Sequence, residues 1–415
     1  MRKLWFSMIL LAAVILSACT PRTAPTATVT STEASQALAS VPTENPTLPK
    51  MECKVVSLLP TPGPTEVSLF PPTSEADWVI GSPNAAMTIT EYSDFQCPYC
   101  AQFSQVAHEL LKAYPNDVRL VFRYFPLPSH PLSLVSANAA EAAGRQGKYW
   151  EMEERLFSQQ DTWSLFPEDQ FKEWVTAQAK ELGLDVNKFQ QDMSDPAVSE
   201  KVNASQKYAM DIQIPGTPFL LINGLPYQGP RDFANLEAIT LLVRLQDRQY
   251  TYCPPMEIDP AKQYIATIKT EKGDIRVQLL PDKAPMAVNS FVFLARNGWF
   301  DNTTFHQVIA NSKAQGGDPS GIGYGNPGYY FDNEITDLKF DKEGLLAMYN
   351  DGPGSNGSQF FITYGPNAQW DGSYTIFGEV IAGMDVAKKL TPRDPSQTSG
   401  LPDGDKVLTI TIEEK

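Results

Sequence analysis

Two proline-rich stretches divide this chain of 415 residues and limit how its apolar side chains can gather into cores. The first, residues 20–75, consists mainly of Thr, Pro, Ala and Ser, so it buries too little surface to offset the entropy lost on ordering. The second, YCPPMEIDP at 252–260, separates two regions that differ in residue composition and pattern. Because the chain is also long for a single core, we expect a disordered tether at 20–75 and folded domains at 76–252 and 258–415.

The N-terminus has the pattern of a secretion signal. Arg2 and Lys3 precede an apolar run that is too short to span a bilayer comfortably. The run ends in LSAC at 16–19, which resembles the bacterial lipoprotein box, in which the cysteine becomes the lipidated first residue. We therefore expect residues 1–19 to be a lipoprotein signal peptide and Cys19 to anchor the protein in the bacterial cell envelope, on the outer face of the cytoplasmic membrane. That compartment permits disulfides. The alternative is an ordinary signal peptide with a chance cysteine.

Charge and histidine content bear on the possible partners. A formal charge of −15 repels nucleic-acid phosphates, so no nucleic-acid partner is expected. Three histidines leave little room for metal sites, and no motif in the sequence indicates a cofactor. We therefore expect neither a metal nor a cofactor.

The first domain combines strands and helices. AMTITEY (86–92) and VRLVFRY (118–124) are typical of strands, and apolar residues at helical spacing lie between them. A strand, a helix and a strand in this order predict a βαβ unit with parallel strands. The remainder is predicted as helices over 131–213, a strand at 218–224 and a closing helix at 235–246.

Cys97 and Cys100 in CPYC could form a redox pair, half of a zinc site or a structural staple. Zinc needs two more ligands, whereas Cys53 and Cys253 stand far away in the sequence. So short a loop also stabilises little as a staple. Pro98 suits the first helical position, which places Cys97 at a helix N-terminus, where the dipole favours its thiolate. The redox interpretation is therefore favoured.

Cys53 and Cys253 are the two cysteines that remain if Cys19 is lipidated and Cys97 pairs with Cys100. A structural disulfide between them would tie the end of the tether to the exit of the first domain. The alternative is that the two thiols stay free or pair between molecules.

Over residues 76–250, the sequence resembles the DsbA-like branch of the thioredoxin fold. Three features carry the resemblance: the CPYC helix between two strands, AEAAGRQGKYWEMEERLF (140–157) and IPGTPFLLING (214–224). The resemblance implies an α/β thioredoxin-like domain with a helical insertion. It also implies a thiol–disulfide oxidoreductase activity.

The same resemblance implies roles for four residues. Cys97 would exchange disulfides with the substrate, and Cys100 would resolve the mixed disulfide. Thr217 and a cis-Pro218 would hold the substrate strand opposite the cysteines. Oxidases of this family often have valine before the cis-proline, so Thr217 leaves the direction of electron flow open.

Two histidines lie near these elements. His130, in LPSHPLS, is either an exposed loop residue, which is the favoured interpretation, or a proton handler for the cysteines. His108 follows the cysteines on the same helix and is predicted to lie on the surface.

The second domain has the residue pattern of a small β-barrel. YIATIKTEKGDIRVQLLP contains two runs of alternating polarity around EKGD, which predicts a hairpin. Glycine then becomes frequent, as in QGGDPSGIGYGNPG (315–328). Strands joined by glycine-rich loops, with few helices, are typical of barrels.

Residues 261–413 resemble the cyclophilins, prolyl cis–trans isomerases built on a mainly-β, eight-stranded barrel. The resemblance rests on GDIRVQLLPDKAPMAVNSFVFLARNGWFDNTTFHQVI, QGGD, GSNGSQFFIT and WDGSYTIFGEV in the family's order. It implies that Phe361 forms the floor of a proline pocket and that Gln315 hydrogen-bonds the substrate backbone. The implied substrate-binding residues are Phe305, His306, Gln315, Asn350, Gln359, Phe361 and Tyr374.

The sequence departs from this family at the position where family members have a charged catalytic side chain. Family members have an arginine directly after FH, and this chain has Gln307, the implied catalytic position. Ser312 and Lys313 replace residues that are usually apolar, and Trp370 stands one place later than the family's tryptophan. Because a neutral donor forms weaker bonds than a charged one, we expect weak isomerase activity or a proline-peptide binder. Lys313 is predicted to be a solvated loop lysine, with the alternative that it supplies the missing charge.

Taken together, these motifs predict an extracytoplasmic folding factor that combines disulfide exchange with isomerisation or binding of X–Pro peptides. Its expected partners are unfolded or partly folded secreted proteins, a membrane or extracytoplasmic redox partner, and the membrane itself through the lipid anchor. Two alternatives remain. The barrel could be a non-catalytic module that binds clients, and the redox domain could serve one dedicated partner such as a cytochrome-maturation factor.

Overall fold

The computed structural model describes residues 51–56, 70–397 and 401–415, so the predicted lipidation site Cys19 and most of the predicted tether lie outside the described residues. In these ranges no helix combines the length and the apolar character needed to cross a membrane. The strands before residue 250 are β1 (Lys54–Val55), β2 (Trp78–Gly81), β3 (Met87–Ser93), β4 (Val118–Tyr124), β5 (Phe219–Ile222) and β6 (Leu225–Tyr227). The helices there are α1 (Pro98–Ala113), α2 (Ser133–Gly144), α3 (Tyr149–Ser158), α4 (Gln160–Trp163), α5 (Glu168–Glu181), α6 (Val186–Met193), α7 (Pro196–Asp211) and α8 (Phe233–Val243).

The first domain is built on a five-stranded sheet in the order β2-β4-β3-β5-β6. β3 and β4 are parallel and joined by α1, so the predicted βαβ unit is confirmed. Helices α2 to α7 lie between β4 and β5 in the chain and form the predicted helical insertion. The closing helix begins two residues earlier than predicted, at Phe233, because the side chain of Asp232 caps it by accepting a hydrogen bond from the Asn235 N–H.

Helix α1 packs one face against this sheet. Its buried residues recur every three to four positions, which places them on one side of the helix. They are Cys100, Phe103, Ser104, Ala107 and Leu110. Because α1 starts where β3 ends, Cys97 lies at the carboxyl edge of the parallel strand pair.

The second domain consists mainly of strands. They are β7 (Tyr264–Thr270), β8 (Gly273–Leu279), β9 (Thr303–Thr304), β10 (Gln307–Ile309), β11 (Lys313–Gly316), β12 (Tyr329–Tyr330), β13 (Leu345–Met348), β14 (Phe360–Thr363), β15 (Ile376–Ala382) and β16 (Lys406–Glu414). The helices are α9 (Pro285–Arg296) and α10 (Met384–Ala387). The predicted hairpin is confirmed, since β7 and β8 pair antiparallel around the turn that precedes Gly273.

Nine of these strands form one curled sheet in the order β10-β11-β14-β13-β15-β8-β7-β16-β9. Its two end strands, β9 and β10, are separated in the chain only by Phe305 and His306, so the sheet must curl until its ends meet. The mainly-β fold is as predicted, with nine strands in the sheet rather than eight because the two-residue β9 pairs with β16. The core inside the curl includes Phe291, Phe293, Trp299, Phe360 and Phe377.

Residues 51–56, which we call the strap, attach to the second domain. Cys53 and Cys253 form a disulfide across 200 residues of sequence. Strand β1 of the strap pairs antiparallel with β12, with Lys54 opposite Tyr330. Met51 is 3% exposed and belongs to the barrel core. Residues 51–56 lie inside the predicted disordered tether, and they are ordered because a covalent bond, a short strand pair and an apolar contact hold them on the barrel.

Candidate active sites

The first candidate site is the N-terminus of α1. Cys97 is the N-cap residue, in an extended conformation, and Pro98 occupies the first helical turn. The Cys97 carbonyl accepts hydrogen bonds from the N–H groups of Cys100 and Ala101, at 3.1 and 3.2 Å. Tyr99 is 66% exposed, whereas both cysteines are buried free thiols, with Cys100 fully inaccessible. Cys100 is therefore the deeper of the two thiols.

A cis peptide bond faces Cys97. The bond joins Thr217 to Pro218, as the resemblance implies, and directly precedes β5. The Cys97 thiol donates a hydrogen bond of 3.4 Å to the Thr217 carbonyl oxygen. Because β5 pairs with β3, which leads into the cysteine turn, the sheet itself holds this loop against the thiol. The structure thus brings together all four residues predicted for this site.

The two thiols have opposite electrostatic environments. A hydrogen bond from Cys100 is the main cause that lowers the pKa of Cys97 to about 6, with Thr217 and the N–H groups of Cys100 and Tyr99 adding to it. Burial raises the pKa of Cys100 well above its ordinary value. At neutral pH this arrangement favours a thiolate on Cys97 and a neutral thiol on Cys100. A thiolate at the outer sulfur and a proton on the inner one suit nucleophilic attack followed by resolution.

Glu91 is a third titratable group in this site, and the sequence interpretation missed it. It lies on β3, is 1% exposed, and accepts a hydrogen bond of 2.6 Å from the Ser93 hydroxyl. Burial raises the pKa of its carboxyl to about 8. Its charge also contributes to the raised pKa of Cys100. The available signal was an acidic residue within the Thr- and Ile-rich strand that leads to the cysteines.

The two histidines of this domain are less exposed than predicted. His130 is not a free loop residue, because its Nδ1 lies 2.6 Å from Oδ2 of the buried Asp94, and its side chain is 25% exposed. His108 is not a simple surface residue, because its Nε2 lies 2.8 Å from Oε2 of the buried Glu153. In both cases the imidazole ring contacts a buried carboxylate from another segment of the chain. The residues next to each histidine in the sequence do not indicate that contact.

The second candidate site is the outer face of strands β10, β11 and β14. Gln307 is the register partner of Gln315, and Gln315 is the partner of Phe361. Paired residues point to the same side of a sheet, so these three side chains share one face, which we call the groove face. Val308 and Ala314 alternate with them and point into the barrel core.

An aromatic cluster forms one part of the groove face. Phe361 is 1% exposed, and its ring lies 5.2 Å from that of Trp370 and 5.3 Å from that of Tyr374. The Phe340 ring stacks on that of Phe361, with 6.0 Å between the ring centres. Tyr349 lies 6.4 Å from Tyr374 and is nearly parallel to it. Such a cluster offers the flat apolar surface that a proline ring needs, and it includes Phe361 and Tyr374 as predicted.

Polar residues border this cluster and hold one another in place. Gln315 Nε2 donates to Gln359 Oε1 at 3.0 Å, and Gln359 Nε2 donates to the Gly323 and Gly325 carbonyls. Asn350 Nδ2 bonds to the side chains of neighbouring asparagines. Gln315, Gln359 and Asn350 are thus fixed. Gln315 lies beside Phe361 in the register of β11 and β14, and Gln359 directly precedes β14.

Two residues predicted to bind substrate are placed differently. Phe305 belongs to the barrel core, where its ring lies 6.2 Å from that of Phe360, and not to the aromatic cluster around Phe361. His306 is 2% exposed, with Nε2 3.4 Å from Gln315 Nε2, so it lies behind the groove residues. Burial lowers the pKa of His306 to about 4, which keeps the ring neutral. The turn joining β9 to β10 directs both side chains inward.

Lys313 is not a solvated loop lysine. It is the first residue of β11 and is half-buried, since pairing with β10 and β14 places it on the groove face. Its ammonium donates to Gln315 Oε1 at 2.5 Å and lies 4.7 Å from the centre of the Tyr349 ring and 5.3 Å from that of Phe361. Burial lowers the pKa of Lys313 to about 8. Tyr349 was absent from the predicted site, and its place directly before Asn350 was the only signal for it.

Comparisons with known proteins agree with this division. A sequence model described as cyclophilin type peptidyl-prolyl cis-trans isomerase/CLD matches residues 265–413, and one described as thioredoxin matches residues 73–240. Peptidyl-prolyl cis-trans isomerase B of Streptomyces anulatus is 45% identical over 163 residues, which cover 34% of this chain and 93% of that protein. Peptidyl-prolyl cis-trans isomerase A of Mycobacterium tuberculosis is 43% identical over 145 residues, covering 31% of this chain and 80% of that protein.

One solved structure is also similar in sequence to the C-terminal region. The crystal structure of a Cryptosporidium parvum cyclophilin type peptidyl-prolyl cis-trans isomerase is 36% identical, with a TM-score of 0.34. The similarity covers 37% of this chain and 98% of that one. Through its C-terminal region this chain belongs to the cyclophilin-type peptidyl-prolyl cis-trans isomerase family, and a thioredoxin-like domain precedes that region.

Proposed function

We propose that this protein is a folding factor that acts on unfolded secreted proteins through two sites, a DsbA-like dithiol and a groove for X–Pro segments. The observation that carries the proposal is the Cys97 thiol, which lies at a helix N-terminus and 3.4 Å from the carbonyl that precedes the cis-Pro218. Disulfide formation and prolyl isomerisation are both slow steps of folding, so one tethered protein serves both.

The proposed location is the outer face of the bacterial cytoplasmic membrane, through lipidation at Cys19. The lipoprotein-type N-terminal sequence supports this location. The Cys53–Cys253 disulfide is consistent with it, because such bonds persist in oxidising compartments. A membrane or extracytoplasmic redox partner would then reset the state of Cys97 and Cys100.

Trapping of mixed disulfides tests the redox half of this function. In a Cys100→Ser variant the resolving thiol is absent, so a client attacked by Cys97 stays attached. We expect many different secreted proteins to be trapped on Cys97 in envelope extracts and none on the Cys97→Ser control. Capture of one protein alone would instead support a dedicated partner, and no capture would refute the redox role.

A prolyl isomerisation assay on the full chain tests the barrel. The groove face supports this activity, because Phe361 and its neighbouring rings offer an apolar surface next to the fixed amides of Gln315 and Gln359. We expect the chain to speed exchange between the cis and trans forms of an Ala–Pro peptide. The second candidate, a non-catalytic binder, is favoured by the neutral Gln307 where the family has an arginine. Saturable peptide binding without faster exchange would establish the binder.

A further inference from the structure

The groove face contains a cation in a place that the family pattern does not predict. Lys313 and Gln315 are two residues apart on β11, so both side chains project from the same side of the sheet. Gln307, where the family has its arginine, is the register partner of Gln315 on β10. Lys313 and Gln307 therefore approach Gln315 from two sides, and Lys313 carries the charge.

The position of the ammonium follows from its three contacts. It donates a hydrogen bond to Gln315 Oε1 at 2.5 Å. It also lies within 6 Å of the centres of the Tyr349 and Phe361 rings, at 4.7 and 5.3 Å, which is the range of a cation–π contact. The charge is thus held between the aromatic floor and the amide, in a partly water-excluded place where electrostatic interactions are stronger than in bulk water.

This position is where the reaction needs a donor. The proposed activity, on which this inference depends, packs the proline ring on Phe361 and the substrate backbone beside Gln315, so the prolyl nitrogen lies between those two side chains. During rotation the amide loses its double-bond character, and the nitrogen lone pair localises. A donor aimed at that nitrogen stabilises the transition state more than the planar ground state, and no bond is broken or formed.

We propose that Lys313 is the catalytic cation of this groove and donates a hydrogen bond to the prolyl nitrogen, in the role that the family gives to the arginine replaced by Gln307. Substrate binding would exchange the ammonium's ring contacts for the prolyl nitrogen, while Gln315 continues to hold it. Arg393 forms an isolated bridge with Val308, next to Gln307, but its guanidinium donates to the backbone carbonyls of His306 and Pro402.

A set of substitutions in the full chain tests this role with an Ala–Pro peptide and exchange measured by NMR. Lys313→Met keeps the length of the side chain and removes its charge, and kcat should fall about 100-fold with KM changed less than about 3-fold. Lys313→Arg should retain most of the activity. Gln307→Arg should restore the rate of Lys313→Met, because it returns the family's charge to the same groove. Circular dichroism checks that each variant is folded.

The pH dependence of the isomerisation rate distinguishes a catalytic from a structural role of Lys313, because a purely structural role would leave it unchanged. The protonated ammonium is the active form, and burial lowers its pKa in the substrate-free protein to about 8, so kcat/KM should fall as pH rises through 8. The groups facing it do not titrate nearby, because the pKa of Tyr349 is raised to about 12 and that of His306 is lowered to about 4. Asp351 accepts a hydrogen bond from the Tyr349 hydroxyl. The Lys313→Arg variant should show no decline up to pH 9.5.

Two results would overturn the inference. If Lys313→Met matches or exceeds the activity of the wild type, the lysine merely fills the proline pocket, and the proposed isomerase function survives without it. If the wild type does not speed exchange at all, both the isomerase function and the role of Lys313 are refuted. A wild-type rate that is flat from pH 6 to 9.5 would also refute the role, because it excludes a titrating donor.

Discussion

Replacing Glu91 with glutamine should stabilise the first domain in a pH-dependent way. The carboxyl is buried on β3, and its pKa is raised from 4.5 to about 8. The folded state therefore binds a proton that the unfolded state has released between these two pH values, and stability falls as pH rises through that window. Glutamine keeps the shape and can still accept the hydrogen bond from Ser93, but has no charge to bury.

The size of the effect follows from the shift in pKa. Each pH unit between 4.5 and about 8 changes the free energy of unfolding of the wild type by at most about 1.4 kcal/mol. At pH 7 the penalty is therefore about 3 kcal/mol, and above pH 8 it levels off at about 5 kcal/mol. Glu91→Gln should gain that difference over the wild type, while the contribution of Cys97, which both proteins share, cancels to first order.

Hydrogen exchange of the β3 segment in increasing urea measures this local free energy at pH 5, 6, 7 and 8. The advantage of Glu91→Gln should grow from below about 1 kcal/mol at pH 5 to several kcal/mol at pH 8. Glu109→Gln, an exposed acid on α1, is the matched control and should show no comparable trend. An advantage that stays constant from pH 5 to 8 would refute the account of Glu91 as a carboxyl held neutral by burial.

Two further predictions concern the dithiol and the barrel. The rate of Cys97 alkylation in the reduced chain should rise with pH, with a midpoint near pH 6. In Cys100→Ala this midpoint should move upward, because the main hydrogen bond to the thiolate is lost. A wild-type midpoint near pH 9 would contradict this prediction. Gly317→Ala should destabilise the barrel by more than about 2 kcal/mol in urea unfolding, because its φ is +90° and a Cβ would lie 2.3 Å from the Ser358 carbonyl oxygen. Gly372→Ala, with a φ of +74° and open space around it, should lose less, and equal losses would contradict the clash.

Sequence patterns predicted the parts of this structure that depend on neighbouring residues. Alternating polarity located β4 and the β7–β8 hairpin, and helical spacing located α1. The family resemblance gave the cis bond before Pro218, which spacing alone does not reveal. The cysteine count gave the Cys53–Cys253 disulfide as one of two alternatives.

Sequence patterns failed where burial depends on distant segments. Glu91 occurs in a strand that looks half-polar, yet in the folded domain it is 1% exposed, and burial raises the pKa of its carboxyl. Lys313 looks like a loop residue until β14, some fifty positions later, pairs with it and fixes its face. Phe305 was assigned to the groove, but the inward turn between β9 and β10 places it in the core. His108 and His130 depended in the same way on carboxylates from other segments.

The central claim, two folding activities at two separate sites of one chain, is tested most directly by a refolding experiment. A reduced, unfolded secreted protein with native disulfides and cis X–Pro bonds is refolded in a glutathione buffer with catalytic amounts of the full chain. The wild type should speed both disulfide acquisition and the slow proline phase. Cys97→Ser should abolish only the first effect, and Lys313→Met should weaken only the second. Disulfide acquisition that stays fast with Cys97→Ser, or a wild type that speeds neither phase, would contradict the account.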